Sequence, residues 1–173
     1  MAFRVKKTAP EVKGKYAIDY TVGRGGVNAR DDVLLVQICL NITYFERKDG
    51  YADRYMTSRE ENKLEPLAED GICGPLTMGR IHQFQVDLAK KGTSNMGAIP
   101  VSIDGKFDVS PEPGVAHKGP HKRVYAFDSM SYVLEDHAED EAKAHYDNLP
   151  DTAPQPLRAS LAQPSRQYAK RFK

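Results

Sequence analysis

Apolar and polar positions along this chain fall into blocks with different periods. Residues 31–41, Asp31-Asp32-Val33-Leu34-Leu35-Val36-Gln37-Ile38-Cys39-Leu40-Asn41, are apolar most of the way round a helical wheel. That pattern predicts a first helix buried on several sides. Asn28 reads as its N-cap, Asp31 three residues later suits a capping box, and Asp31 and Asp32 suit the positive end of the helix dipole. Gln37 interrupts the apolar run. A buried amide there needs partners, and backbone groups of a neighbouring loop are the expected ones. A second helix opens at Gly74-Pro75, where proline is favoured because its missing N–H costs nothing. Ile81, Phe84, Gln85 and Leu88 follow an i, i+3, i+4, i+7 stripe, and Lys90-Lys91-Gly92 closes the helix with cations and a glycine. A third helix is expected from about Ser129 to Tyr146, with Met130, Val133 and Leu134 toward the core and an acidic, solvated second half.

The segments between these helices are polar or broken. Residues 1–20 read as an extended basic arm with a short strand at Tyr16-Ala17-Ile18. Gly23-Arg24-Gly25-Gly26 reads as a turn; no Gly-Lys-Ser/Thr follows, so a phosphate loop is not expected. Residues 46–65 are dense in mixed charge and predict a solvated excursion, partly helical around Ser58–Leu64. Ile99-Pro100-Val101-Ser102-Ile103 suggests a strand ending in the turn Asp104-Gly105, which repeats the Asp70-Gly71 pair. Beyond Asp151 come Pro154, Pro156 and Pro164, with five basic residues and no acid, a composition that predicts a disordered tail. The expected fold is mainly α: a small three-helix bundle over 21–149 with a long loop insertion at 46–65, a minor β-hairpin, an N-terminal arm over 1–20 and a basic Pro-containing tail over 150–173.

Composition narrows the function classes. A chain of 173 residues suits one domain. Its 25 basic and 24 acidic residues leave a net charge of +1, which gives no general pull toward nucleic acid or anionic membranes. No apolar run approaches the length of a membrane-spanning helix. The basic N-terminus, Met1 to Lys7, is not followed by an apolar stretch, so no secretory signal peptide is expected, and work in the periplasm or at the wall would require a specialised delivery route. Cys39 and Cys73 form no CxxC pair and read as reduced apolar fillers, with a disulfide as the alternative. His117 and His121 are separated by Gly119-Pro120, His137 and His145 lie on the acidic helix, and no HExxH occurs. With no Gly-x-Ser-x-Gly elbow and no carboxylate pair singled out by the pattern, neither a metal, a cofactor nor a catalytic constellation is expected.

Three strings carry a resemblance. Asp31 to Asn41 resembles the first helix of the peptidoglycan-binding domain family, with its Asp-Val pair, Leu-Gln and Leu. Asp70-Gly71-Ile72-Cys73-Gly74-Pro75-Leu76-Thr77 resembles that family's Asp-Gly-x-x-Gly-x-x-Thr turn, and Phe84-Gln85 its Phe-Gln near the end of the second helix. They occur in the family's order and cover about residues 21–92. Asp104-Gly105-Lys106-Phe107-Asp108, followed by Pro111, resembles an element that follows this domain in some longer bacterial and phage proteins. The resemblance implies a non-catalytic module that binds peptidoglycan, through its glycan or its stem peptide. It assigns a mainly structural role to Asp32, Gln37, Gly74, Pro75, Phe84 and Gln85. Ligand candidates are Asp70, Gly71 and Thr77 in the turn, Arg80 and His82 on the second helix, and Tyr44 and Tyr51 beside the excursion, because such a groove needs hydrogen-bonding groups, aromatic or apolar surface and a cation for carboxylates. Cys73 stands where the family has an aromatic or larger apolar residue, and the 46–65 excursion lengthens a connection that is normally short. A component of a secretion system or phage particle that reuses the fold to hold a protein, through basic tails, is the second reading, and a small wall-modifying enzyme the third.

Overall fold

The computed structural model describes residues 1–6, 15–46, 63–91, 100–111, 113, 124–136 and 140–164. Its centre is α1 (Arg30–Asn41), and every residue from Asp31 to Asn41 on it is buried. That agrees with a sequence apolar on all sides, since no face of such a helix is suited to water. α1 runs directly into a π-helical turn (Ile42–Glu46), and Thr43 Oγ1 donates to the Cys39 carbonyl at 2.8 Å across the transition.

The second long helix, α2 (Pro75–Lys91), starts at the predicted proline. The expected third helix occurs as two assigned pieces, α3 (Ala126–Asp136) and α4 (Asp140–Asp147). Short strands supply the rest of the frame. β1 (Phe3–Arg4) pairs antiparallel with β2 (Tyr16–Ala17), and β3 (Val22–Gly23) pairs antiparallel with β4 (Lys106–Phe107). The fold is therefore mainly helical with minor antiparallel β structure. The strand expected at 99–103 lies instead at 106–107, just past the Asp104-Gly105 turn, where Phe107 fills the core opposite Val22.

One core joins these elements. Phe107 lies between Phe84 of α2 and Phe127 of α3, with ring centroids 5.9 and 5.7 Å away in edge-to-face contact. Tyr16 and Tyr146 form a second such pair at 5.0 Å. The Ser131 hydroxyl lies 2.6 Å from the Tyr146 hydroxyl and donates to the Tyr16 carbonyl at 2.9 Å. These bonds satisfy polar atoms that burial would otherwise leave costly.

The C-terminal region departs from expectation. Residues 149–164 are not a free tail: α5 (Leu149–Thr152) and α6 (Leu157–Leu161) fold back, and α6 packs on α1 and β1. Leu149, Leu157 and Leu161 are fully buried, and Ser160 Oγ donates to Asp31 Oδ2 at 2.8 Å. The proline-rich composition concealed an apolar i, i+4 pair that covers α1. Residues 165–173 of the expected tail, and 7–14 of the expected arm, lie outside the described residues.

The N-terminal side of α1 also differs. Asn28 does not cap the helix, which starts after Ala29. Asn28 has φ 54°, and its side chain accepts from the Gly23 N–H at 2.7 Å and donates to the carbonyls of Gly23 and Gly26. It staples the glycine-rich turn. Asp32, expected at the dipole, instead accepts the backbone N–H groups of Asp19 and Tyr20 at 3.1 Å and the Met1 amino group at 3.2 Å. Burial pushes its pKa up to about 6 against those favourable contacts.

Candidate functional site

Two amide side chains build the region to which the motif points. Gln37 projects from the middle of α1 onto the Asp70–Gly71 turn. Its Oε1 accepts the Gly71 N–H at 2.9 Å, while its Nε2 donates to Asp70 Oδ1 at 3.0 Å, to the Ile72 carbonyl at 3.2 Å and to Thr77 Oγ1 at 3.3 Å. Asp70 Oδ1 in turn accepts the Ile72 N–H at 2.8 Å. Gly71 has φ 73°, and a side chain there would drive into Arg30 and Leu34 of α1. The Gln37 bond holds Asp70 ionised below the usual carboxylate range.

The same device recurs on α2. Gln85 Oε1 accepts the N–H groups of Asp104 at 3.1 Å and Gly105 at 2.9 Å, and its Nε2 donates to Asp104 Oδ1 at 3.1 Å and the Lys106 carbonyl at 2.7 Å. Gly105 has φ 74°, and Asp104 Oδ1 accepts the Lys106 N–H. Gly23 packs so closely on Gly105 and Lys106 that no Cβ fits there. The repeated Asp-Gly pair noticed in the sequence is thus a repeated tertiary unit: a helix glutamine clasping a turn that carries a positive-φ glycine.

Gln37 and Gln85 make the clasps, Pro75 opens α2, Phe84 is core, and Asp32 anchors the chain at residues 19–20. The ligand candidates divide. Asp70 is exposed, but Gly71 and Thr77 are buried in the first clasp. Tyr44 is fully buried, with its hydroxyl donating to Asp87 Oδ2 at 2.7 Å, so it is not a surface platform. Arg80 is also buried, its guanidinium over the rings of Tyr44 and Phe45 at 5.2 and 5.4 Å. His82 is exposed and sits beside Gly105. Tyr51 lies outside the described residues. Cys39 and Cys73 are both free thiols, the first buried and the second half-buried.

Asn41 was missed by sequence reasoning. It stands one helical turn after Gln37, accepts the Leu67 N–H at 2.8 Å and donates to the Leu67 carbonyl and to Glu69 Oε1 at 2.9 Å. A second amide at i+4 in an apolar helix is the signal that would have found it.

What remains open to a ligand is the outward face of α2 beside the two turns. Leu76 is 81% exposed, Ile72 is 67% exposed, and Ile103 near the second turn is 47% exposed. Gly79, one turn past Leu76, presents bare backbone with nothing near a hypothetical Cβ, and His82 follows. A shallow concavity adjoins the second clasp, lined by Val101, Ser102, Lys106 and Tyr125 among others. Among the described residues no group of three metal-ligating side chains gathers, and no helix is long and apolar enough to cross a membrane. Comparison with family models, with curated proteins and with solved structures gives no significant match to this chain.

Proposed function

We propose that this chain is a non-catalytic binding module for bacterial peptidoglycan, a divergent relative of the peptidoglycan-binding domains. The observation that carries the reading is the pair of glutamine-clasped Asp-Gly turns flanking one helix whose outward face is apolar and backbone-bare. Leu76 and Ile72 suit the apolar faces of sugar rings, Gly79 lets a ligand approach the helix backbone, and His82 and Asp70 offer polar atoms at the edges. Co-sedimentation with purified sacculi tests it. The expected result is saturable pelleting that Leu76→Asp weakens at least tenfold without altering the circular dichroism. No pelleting at high protein concentration would sink the proposal.

A second reading is favoured by the same exposure. Leu76 and Ile72 are large apolar side chains facing water, and they suit a protein partner in a secretion system or phage particle equally well. Recovery of one defined protein by the immobilised wild type, lost on Leu76→Asp and accompanied by no sacculus binding, would select it.

A further inference from the structure

On its inner side α2 carries a different feature. Arg80 is only 8% exposed, yet its Nη1 has no hydrogen-bond partner. Its Nη2 donates to the Glu65 carbonyl at 2.9 Å, and the flat guanidinium faces the rings of Tyr44 and Phe45. The nearby carboxylate of Asp87 is occupied by Tyr44 Oη at 2.7 Å and by Gln83 Nε2 at 3.1 Å. No described carboxylate pairs with Arg80, and burial pushes its pKa down, the mark of a cation stripped of water without a counter-charge. Desolvating such a group is costly, which marks the unfilled donor as the feature that a ligand could satisfy. Two aromatic rings and a π-helical turn hold it in place, and π turns recur at functional sites.

We propose that Arg80 is a receptor for one carboxylate of an incoming ligand, of the kind found at the end of a peptide, with Nη1 as donor and Tyr44 and Phe45 as walls. A planar monoanion matches the site: one positive charge, one unfilled donor and flat apolar walls. A phosphate dianion would need further donors and a second cation. Nη1 is closed off from bulk water, so entry requires a local opening of the packing around it. Arg80 stands one helical turn beyond Leu76 on α2, but it is buried where Leu76 is exposed, and the site does not depend on the wall-binding proposal.

The test compares N-acetylglycine with its uncharged amide, N-acetylglycinamide, and with inorganic phosphate, at matched pH and ionic strength. N-acetylglycine at ten times its Kd raises Tm of the wild type by about 3–6 °C; the amide and phosphate do not. Arg80→Met, whose side chain fits between the same rings, folds and loses the shift. Should that variant fail to fold, the wild-type guanidinium is followed directly: its ¹⁵N–¹H signals move with N-acetylglycine and stay still with the amide. Equal shifts from acid and amide, a shift from phosphate alone, unmoved guanidinium signals, or a shift retained in Arg80→Met would each overturn the site. Sacculus pelleting of Arg80→Met separates the two proposals. Loss of the N-acetylglycine effect with pelleting intact leaves both standing as separate sites. Carboxylate binding by a protein that never pellets leaves Arg80 standing and removes the wall reading.

Discussion

Gln37 Oε1 accepts the backbone N–H of Gly71 at 2.9 Å, across 34 positions of the chain. The bond joins the centre of the most buried helix to the turn that starts α2. Gln37→Leu keeps the volume but leaves the Gly71 N–H without its partner, while the Ile72 carbonyl keeps the Gly74 N–H at 3.0 Å. Such a loss typically costs about 1–3 kcal/mol. We expect urea denaturation to show a stability loss of that order and the Gly71 amide to exchange faster by a similar factor. Gln85→Leu should do the same at Gly105. A change below about 0.5 kcal/mol in both would mean that the clasps are incidental.

The glycine of the turn before α2 and a glycine inside α2 should respond with opposite signs. Gly71→Ala forces a Cβ to within 2.6 Å of the Arg30 side chain at φ 73°, and we expect a loss of about 2 kcal/mol or more. Gly79→Ala meets nothing within 4 Å in a helix interior, and we expect a gain of about 0.5–1 kcal/mol. The pair is read by thermal melts of the two variants. If sugar approaches the bare backbone, Gly79→Ala also weakens sacculus binding while raising Tm.

Leu157 is fully buried although it lies in a proline-rich stretch. Leu157→Ala should cost about 2–4 kcal/mol, as for a core leucine. Ser160→Ala, which frees Asp31 Oδ2, should cost about 1 kcal/mol. Limited proteolysis that cuts the wild type readily between 149 and 161 would contradict the packing.

His145 Nδ1 lies 2.8 Å from Glu46 Oε2, joining α4 to the π-helical turn. The hydrogen bond to Glu46 raises the histidine pKa above its ordinary 6.5, against burial, with Glu69 adding to the rise. A raised folded pKa stabilises the protonated native state. Its contribution is therefore fully present below about pH 6.5 and is lost as pH rises through the folded value. Glu46→Gln should flatten that loss across neutral pH. Asp32 acts in a lower window: its pKa, up at about 6 from 3.8 through burial, makes its contribution fall as pH rises from 3.8 through about 6. Tm measured against pH in wild type and Glu46→Gln separates the two, since only the upper limb should change.

The sequence made the start of α2 and the Asp-Gly turns legible because their signals are local. Pro75 at N1, the 81-84-85-88 stripe and the two Asp-Gly pairs need only neighbours in the chain, and the structure places them as read. What depended on distant partners was not legible. Tyr44 and Arg80 read as ligand-groove candidates because nothing local shows that the π-helical turn carries Tyr44 inward toward Asp87 on α2. Asn28 read as a cap because its chemistry suits one, yet the same side chain serves a glycine-rich turn equally well. The last helices were hidden by their prolines, and only the partner surface on α1 explains why Leu157 and Leu161 are apolar. Of the candidate site, the scaffold was readable; which of its polar atoms lack a partner was not, since that is a property of the packed state.

The two clasps span unequal lengths of chain, 33 positions from Gln37 to Asp70 and 19 from Gln85 to Asp104. Closing the longer one costs only about 0.5 kcal/mol more in chain entropy, by the logarithmic dependence on loop length. Each clasp therefore acts as a fixed buckle on an adjustable strap. Foreign peptide can be spliced between helix and turn at small cost, which makes this chain a natural acceptor for grafted recognition loops.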